Sequence, residues 1–185
     1  MKKTTYLSLL AGCLITLGAC EGSKYDLENQ IPEKFHKILY LSISGKQDLT
    51  LYNTDEDNTY SFSLIKGTSM QPNFIEGDFV VYQKFNKIIS RFDVVILKKG
   101  NTIYIKRVIG LPTEEIMYEN NNLYINGENI SEEFLDKFAY TENFNYVVSK
   151  GKYFVLGDNR ENSLDSRSFG LVDYDEILGI IKIKI

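Results

Sequence analysis

From Lys37 onward the chain is cut into short runs of aliphatic and aromatic residues, each closed within a few positions by Gly, Asn or Asp. The runs fall at 37–43, 49–52, 59–65, 78–84, 93–97, 102–109, 115–118, 122–126, 146–148, 152–156 and 177–185. Segments this short and this rich in Val, Ile, Tyr and Phe satisfy a pleated surface and are too brief for a stable helix. Tyrosine and phenylalanine number 13 and 11, against three prolines and no tryptophan, which strengthens the same bias. The fold class expected is therefore all-β, mainly antiparallel, a sheet or barrel-like domain with few short helices. Lys98-Lys99-Gly100-Asn101 and Asn126-Gly127 read as hairpin turns. One mature segment reads as a helix, residues 131–138, with Ser131 as its cap and Glu132, Glu133, Phe134 and Leu135 following.

Charge removes other classes. Lys+Arg number 21 and Asp+Glu 25, a net charge of -4, so the chain lacks the basic footprint that a phosphate backbone requires, and no nucleic-acid partner is expected. A single histidine, His36, and two cysteines, Cys13 and Cys20, exclude a His/Cys zinc cluster and a disulfide framework. No cofactor or metal is implied.

The first residues carry an address. Lys2 and Lys3 precede an apolar run of 13 residues, Leu7 to Ala19, that ends at Leu17-Gly18-Ala19-Cys20. As a helix the run spans roughly 20 Å, short of the ~30 Å hydrocarbon core, so it suits an export signal better than a permanent span. Its end resembles the bacterial lipobox, in which the cysteine is lipidated and becomes the first mature residue. An ordinary signal cut after Ala19, or an uncleaved short anchor, are the alternatives. The expected organisation is a signal peptide at 1–19, a polar tether at 20–36 and a catalytic domain at 37–185. Removal of 1–19 leaves (21 − 2) − 25 = −6 and one cysteine, Cys20.

Three separated segments bear chemistry. Gly67-Thr68-Ser69-Met70-Gln71-Pro72 places a serine on a turn at a strand end; alone, it reads as an ordinary turn serine. In the strand 102–109, alternation puts Lys106 on one face with Tyr104 and Val108, and Arg107 on the other with Ile105 and Ile109. Burial there lowers a lysine's pKa and makes it a usable base; a lysine snorkelling from a sheet edge is the competing reading. Between Gly157 and Gly170 lies a polar loop with Asp158, Arg160, Ser163, Asp165, Ser166 and Arg167, either solvated or held in shape by Asp–Arg pairs.

Together, in order, these segments resemble the type I signal peptidases, the serine–lysine proteases that remove signal peptides from exported proteins. The resemblance runs from about Ile65 to Ile185. It rests on Ser69-Met70-x-Pro72, then Gly77-Asp78-x-Val80 with Lys84-Phe85. Lys106-Arg107 with Gly110-Leu111-Pro112 follows, and then Gly157-Asp158-Asn159 with Ser163, Asp165, Ser166 and Arg167. It implies Ser69 as nucleophile and Lys106 as general base, in keeping with the need of a serine hydroxyl for a proton acceptor. It implies further that Ser163 orients Lys106, that Asp165 and Arg167 form an ion pair near the site, and that Asp158 and Arg107 support it. The Ser69 N–H belongs to the implied oxyanion hole, and Gly67 stands where some members carry a second donor.

Other departures are Thr113-Glu114 after Pro112, Phe92 where a glycine is common, and a short accessory β segment at 113–151. A lipid on Cys20 takes the place of the family's transmembrane helices. The expected partners are exported preproteins with small residues at the cut and membrane lipid. The expected location is the cell envelope, with the catalytic domain on the outer side of the membrane. Two competing functions are a self-cleaving repressor, which needs a DNA-binding domain that residues 1–64 do not offer, and a non-catalytic or self-processing envelope lipoprotein. The presence of Ser69, Lys106 and Ser163 together favours the catalytic reading.

Overall fold

A computed structural model describes residues 51–52, 59–84 and 88–184. Cys13, Cys20, His36, the expected signal and tether, the run at 37–43 and Phe85 lie outside the described residues. Strand β1 (Leu51–Tyr52) belongs to a first unit, residues 1–53, and everything below belongs to the second, residues 54–185.

That second unit is built from antiparallel sheets, as the short aromatic and aliphatic runs predict. Its larger sheet takes β2 (Thr59–Leu64), β3 (Phe79–Gln83), β12 (Ile177–Lys184), β4 (Val94–Lys99), β5 (Thr102–Gly110), β10 (Lys152–Leu156) and β11 (Val172–Asp173), in that spatial order. The last long strand thus inserts between β3 and β4, closing the chain's end into the middle of the sheet. A smaller sheet orders β8 (Glu128–Ile130), β7 (Asn122–Ile125), β6 (Glu115–Glu119) and β9 (Phe144–Val147). Helix is almost absent among the described residues: one turn, α1 (Ser166–Phe169), and a 3-10 turn at Tyr174–Glu176.

The hairpins show why these turn residues work. Gly100 and Asn101 link β4 to β5, with Gly100 at φ 59°. Asn126 and Gly127 link β7 to β8 at φ 51° and 83°, the doubly left-handed turn that matches strand twist. A third hairpin, Asn120-Asn121 between β6 and β7, has the same signature at φ 50° and 64°. Asparagine tolerates this region better than other residues with a Cβ, so an Asn-Asn pair is a turn signal that a search for Asn-Gly passes over.

Three apolar clusters fill the interior. One gathers Val95, Leu97, Val108, Val155, Val172 and Ile177. A second joins the small sheet to the large one through Ile109, Ile116, Tyr118, Leu123, Phe154 and Leu156. The third lies under the Ser69 turn, with Ile65, Met70, Phe74, Val80, Val94 and Ile96. Strand β4 is buried over Val94 to Leu97 without alternation because the sheet is covered on both faces there, whereas β6 alternates with Ile116 and Tyr118 buried.

The helix expected at 131–138 is absent, and the segment is a pair of turns closed by Leu135 N–H to Glu132 O and Ala139 N–H to Asp136 O. Two interactions pull against a helix. The Phe134 carbonyl accepts from Asn73 Nδ2 at 2.7 Å rather than from a later N–H of its own segment. Glu132 and Phe134, nearly opposite on a helix of 3.6 residues per turn, are both drawn inward, to Arg160 and to Phe92 respectively. Eight residues are too few for intrinsic propensity to resist this.

Candidate active site

Ser69 sits where β2 ends and the chain turns. Ile65 and Asp78 exchange backbone bonds with each other's neighbourhood, Ile65 N–H to Asp78 O at 2.8 Å and Gly77 N–H to Ile65 O at 3.0 Å, so that 66–76 is pinched into one closed excursion. Met70 and Phe74 anchor it in the third cluster, while Ser69 itself stays half-buried. The loop after β10 holds the turn from the other side. Asn159 N–H donates to Ser69 O at 3.0 Å, and Asn162 Nδ2 donates to Thr68 Oγ1 at 3.0 Å.

Lys106 comes from the middle of β5, opposite Val95 of β4 in register. Its side chain is 2% exposed. Nζ lies 2.6 Å from Ser69 Oγ and donates to Ile105 O at 2.8 Å. Burial pushes the amine down from 10.5 to about 8, against the opposing pull of the Asp165 and Asp158 carboxylates. A neutral amine that donates one N–H to Ile105 O can aim its lone pair at the Ser69 hydroxyl. The pair therefore has the contact and the shifted protonation equilibrium that a nucleophile and its base require. Tyr104, on the same strand face, places its ring centroid 5.7 Å from Nζ.

Around this contact the polar loop is organised by two ion pairs. Arg107 grips Asp158 with both prongs, Nε to Oδ1 at 2.8 Å and Nη2 to Oδ2 at 2.6 Å, and stacks 4.0 Å from the Phe134 ring. Arg167 grips Asp165 in the same bidentate manner at 2.9 and 2.8 Å. Asp165 is fully buried, caps α1 through Arg167 N–H and accepts from Gly157 N–H at 3.1 Å. Both carboxylates thus have their charge matched and their lone pairs used, as burial demands.

Ser163 Oγ is buried and makes no hydrogen bond among the described residues. It packs against Gly157: a methyl group on Gly157 would fall 2.2 Å from Ser163 Oγ and 2.4 Å from Ser69 O. Only a residue without Cβ lets the strand β10, the serine turn and Ser163 converge at one point. Gly67, at φ 82°, has open space around it, so no side chain from that position adds a donor beside Ser69.

The sequence did not single out the partners that hold the loop from behind. Arg160, 3% exposed, pairs with Glu132 at 2.6 Å, reaches Thr141 Oγ1 and the Tyr118 hydroxyl, and donates Nε to Gly157 O at 3.0 Å. Tyr118 is an inward position of β6, and nothing in the sequence spacing connects it with Arg160. A cavity of about 280 Å³ adjoins the serine turn, lined in part by Gln71, Pro72, Asn159, Arg160 and Phe138. Among the described residues no cluster of His, Cys, Asp and Glu is arranged to hold a metal ion. Nor is any helix among them long and apolar enough to cross a membrane.

Residues 58–185 match the family model described as signal peptidase, peptidase S26. Signal peptidase I V of Bacillus subtilis (strain 168) is 41% identical over 135 residues, which cover 63% of this chain and 80% of that protein. Signal peptidase IB of Staphylococcus aureus (strain COL) is 35% identical over 147 residues, covering 65% and 74%. A crystal structure of a signal peptidase I from Enterococcus faecalis V583 aligns with 36% identity and a TM-score of 0.48, over 52% of this chain and 98% of that one. With the family model spanning well over half of its length, the chain belongs to the signal peptidase family, peptidase S26.

Proposed function

We propose that this peptidase removes signal peptides from exported preproteins as a membrane-associated serine endopeptidase, with Ser69 as nucleophile and Lys106 as general base. The observation that carries the reading is the 2.6 Å contact between Ser69 Oγ and the nitrogen of a lysine that is 2% exposed. Neutral Lys106 takes the hydroxyl proton as Ser69 Oγ attacks the scissile carbonyl. The resulting ammonium returns that proton to the leaving amine, and water then hydrolyses the acyl-enzyme with Lys106 again as base. The Ser69 N–H donates to the developing oxyanion, a position where one donor contributes about 3–4 kcal/mol. Asp158 with Arg107 and Asp165 with Arg167 keep the loop in place, while the Ser163 hydroxyl, to which the family resemblance gives the orienting of Lys106, is buried beside Gly157 and makes no hydrogen bond to that amine here. The substrates are preproteins with small residues at the cut.

A base with pKa about 8 leaves roughly a tenth of Lys106 neutral at pH 7, against about one part in 3,000 for an unshifted amine. The value of kcat/KM accordingly rises about tenfold per pH unit and levels off above about 8. The experiment is single-turnover cleavage of a preprotein with Ala at the −1 and −3 positions, across pH, by the parent, Ser69→Ala, Lys106→Ala and the double variant. Each single change abolishes cleavage, and the double variant is scarcely worse, since the two side chains act as one unit. Lys106→Arg does not rescue, because a guanidinium stays charged. Full activity in Lys106→Ala would show that the base lies elsewhere.

A further inference from the structure

We propose that Arg160 is a positioning residue through which the small sheet holds the 157–167 loop against the Ser69 and Lys106 pair. The inference rests on the Ser69 and Lys106 reading above and assigns to the small sheet a part in the chemistry.

Arg160 is a cation with no exposed side-chain surface, and its partners come from two separate parts of the fold. Its Nη2 and Nη1 face Glu132 in the 131–138 turns, the hydroxyl of Tyr118 on β6 and Thr141 Oγ1 before β9. Its Nε faces the other way and donates to Gly157 O at 3.0 Å. Its own carbonyl accepts from Arg167 Nη2 at 2.7 Å. The guanidinium therefore joins the small sheet to the Gly157 end of the loop, and the backbone carbonyl of the same residue holds Arg167 near its other end. Tyr118 also donates to Glu132, so the three side chains close a ring, and burial keeps the phenol protonated far above its ordinary range, despite Arg160.

The Gly157 end of the loop is where tolerance is smallest. Ser69 O and Ser163 Oγ both lie too close to Gly157 to admit a methyl group. Beyond Gly157, the loop carries Asp158 and Asp165, each paired with its own arginine, and burial lowers the pKa of the Lys106 amine by more than their charges raise it. Nζ itself meets the Ser69 hydroxyl at 2.6 Å, Ile105 O at 2.8 Å and the Tyr104 ring centroid at 5.7 Å. Releasing the loop admits water to Lys106, and a rehydrated amine regains protons. A lysine at 160 keeps the charge but not the planar fork, so it cannot span Glu132, Thr141 and Gly157 together.

A buried pair broken on one side destabilises, whereas replacement of the whole set by apolar groups of similar volume is often neutral. The test is therefore the full chain carrying Arg160→Met, Glu132→Leu and Tyr118→Phe together, beside Glu132→Gln alone, the parent and Lys106→Ala. Melting temperature, kcat, KM and the pH at which kcat/KM levels off are measured on one preprotein. The triple variant is expected to keep a cooperative melting transition and a KM within about twofold of the parent's. Its kcat falls about tenfold or more, and the pH limb moves upward by about half a unit or more. Glu132→Gln shifts the limb in the same direction by less, and provides the reading if the triple variant does not fold. A folded triple variant, or failing that Glu132→Gln, with parental kcat and limb overturns the proposal. So does a loss of melting temperature with the limb unmoved, which marks a purely structural role. Lys106→Ala separates the two readings: if it is active, the site assignment fails, and if it is inactive while the Arg160 series is parental, only the Arg160 inference fails.

Discussion

A lysine buried at the centre of a sheet is a poor choice for stability, and the fold carries its cost. The sign follows from the shift: the amine titrates near 8 in the folded chain and near 10.5 when unfolded. Between these values the unfolded chain binds more protons, so stability rises with pH there; below about 8 the whole penalty is present. A displacement of this size corresponds to about 3 kcal/mol at neutral pH, reduced by whatever Lys106 gains from Ser69 and Ile105. Lys106→Met keeps the length of the stem and removes the charge. It is expected to be inactive and yet more stable at pH 7 by up to about 3 kcal/mol, the trade between function and stability common at catalytic groups. Denaturant unfolding from pH 7 to 10.5 checks it: the gain is largest below pH 8 and shrinks steadily above. A variant less stable than the parent at pH 7 would mean that the burial of Lys106 is not strained.

At the scale of elements, the site is a meeting of three: the turn after β2, the middle of β5 and the loop after β10. Gly157 is where they meet. Gly157→Ala forces a methyl group against Ser69 O, a backbone atom that cannot rotate away. Overpacking of this kind costs about 1–3 kcal/mol, and here it displaces the peptide of Ser69, the nucleophile we propose. Gly157→Ala is expected to lose most activity while melting only a few degrees lower, whereas Gly67→Ala, in open space, keeps the geometry of the contact and bears only its positive φ. Equal activity losses at the two glycines would argue against the convergence at 157. The same elements show what a sequence can and cannot tell. Strands and the Gly100 and Asn126-Gly127 turns were readable because their signals are local. Lys106, Asp158 and Asp165 stood out because strand alternation and a dense polar loop mark them, whereas Ser69, an ordinary turn serine on its own, stood out only through the order of motifs that resembles the family. The 131–138 turns were misread as helix because what unwinds them is distant, Asn73 and Arg160, and no local pattern records a partner far along the chain. The short edge strands Glu128–Ile130 and Val172–Asp173 escaped for a related reason. Each forms only because a longer neighbour offers it a free edge.

At the scale of the whole molecule, the proposed function requires a domain of this family to meet preproteins at a membrane. Among the described residues, the three clusters and the paired loops of 59–184 hold the geometry around Ser69. We propose that anchoring and chemistry are separable and that the anchor lies at Cys20. Its motive is the string Leu17-Gly18-Ala19-Cys20 at the end of an apolar run too short to span. One acyl chain gives only marginal, reversible attachment, while the two or more chains of a bacterial lipoprotein hold firmly. Cys20→Ser should abolish lipid labelling and leave intact mass without acyl chains. Cleavage of a soluble peptide should stay at the parental rate, because the residues that hold Ser69 among those described are unchanged. Processing of a preprotein embedded in vesicles should fall, since the effective concentration given by a shared membrane is lost. The two assays diverge only if Cys20 tethers an otherwise complete enzyme. Lipid labelling that survives in Cys20→Ser removes the anchor from this position, and an equal fall in both assays makes residue 20 part of the folded site instead.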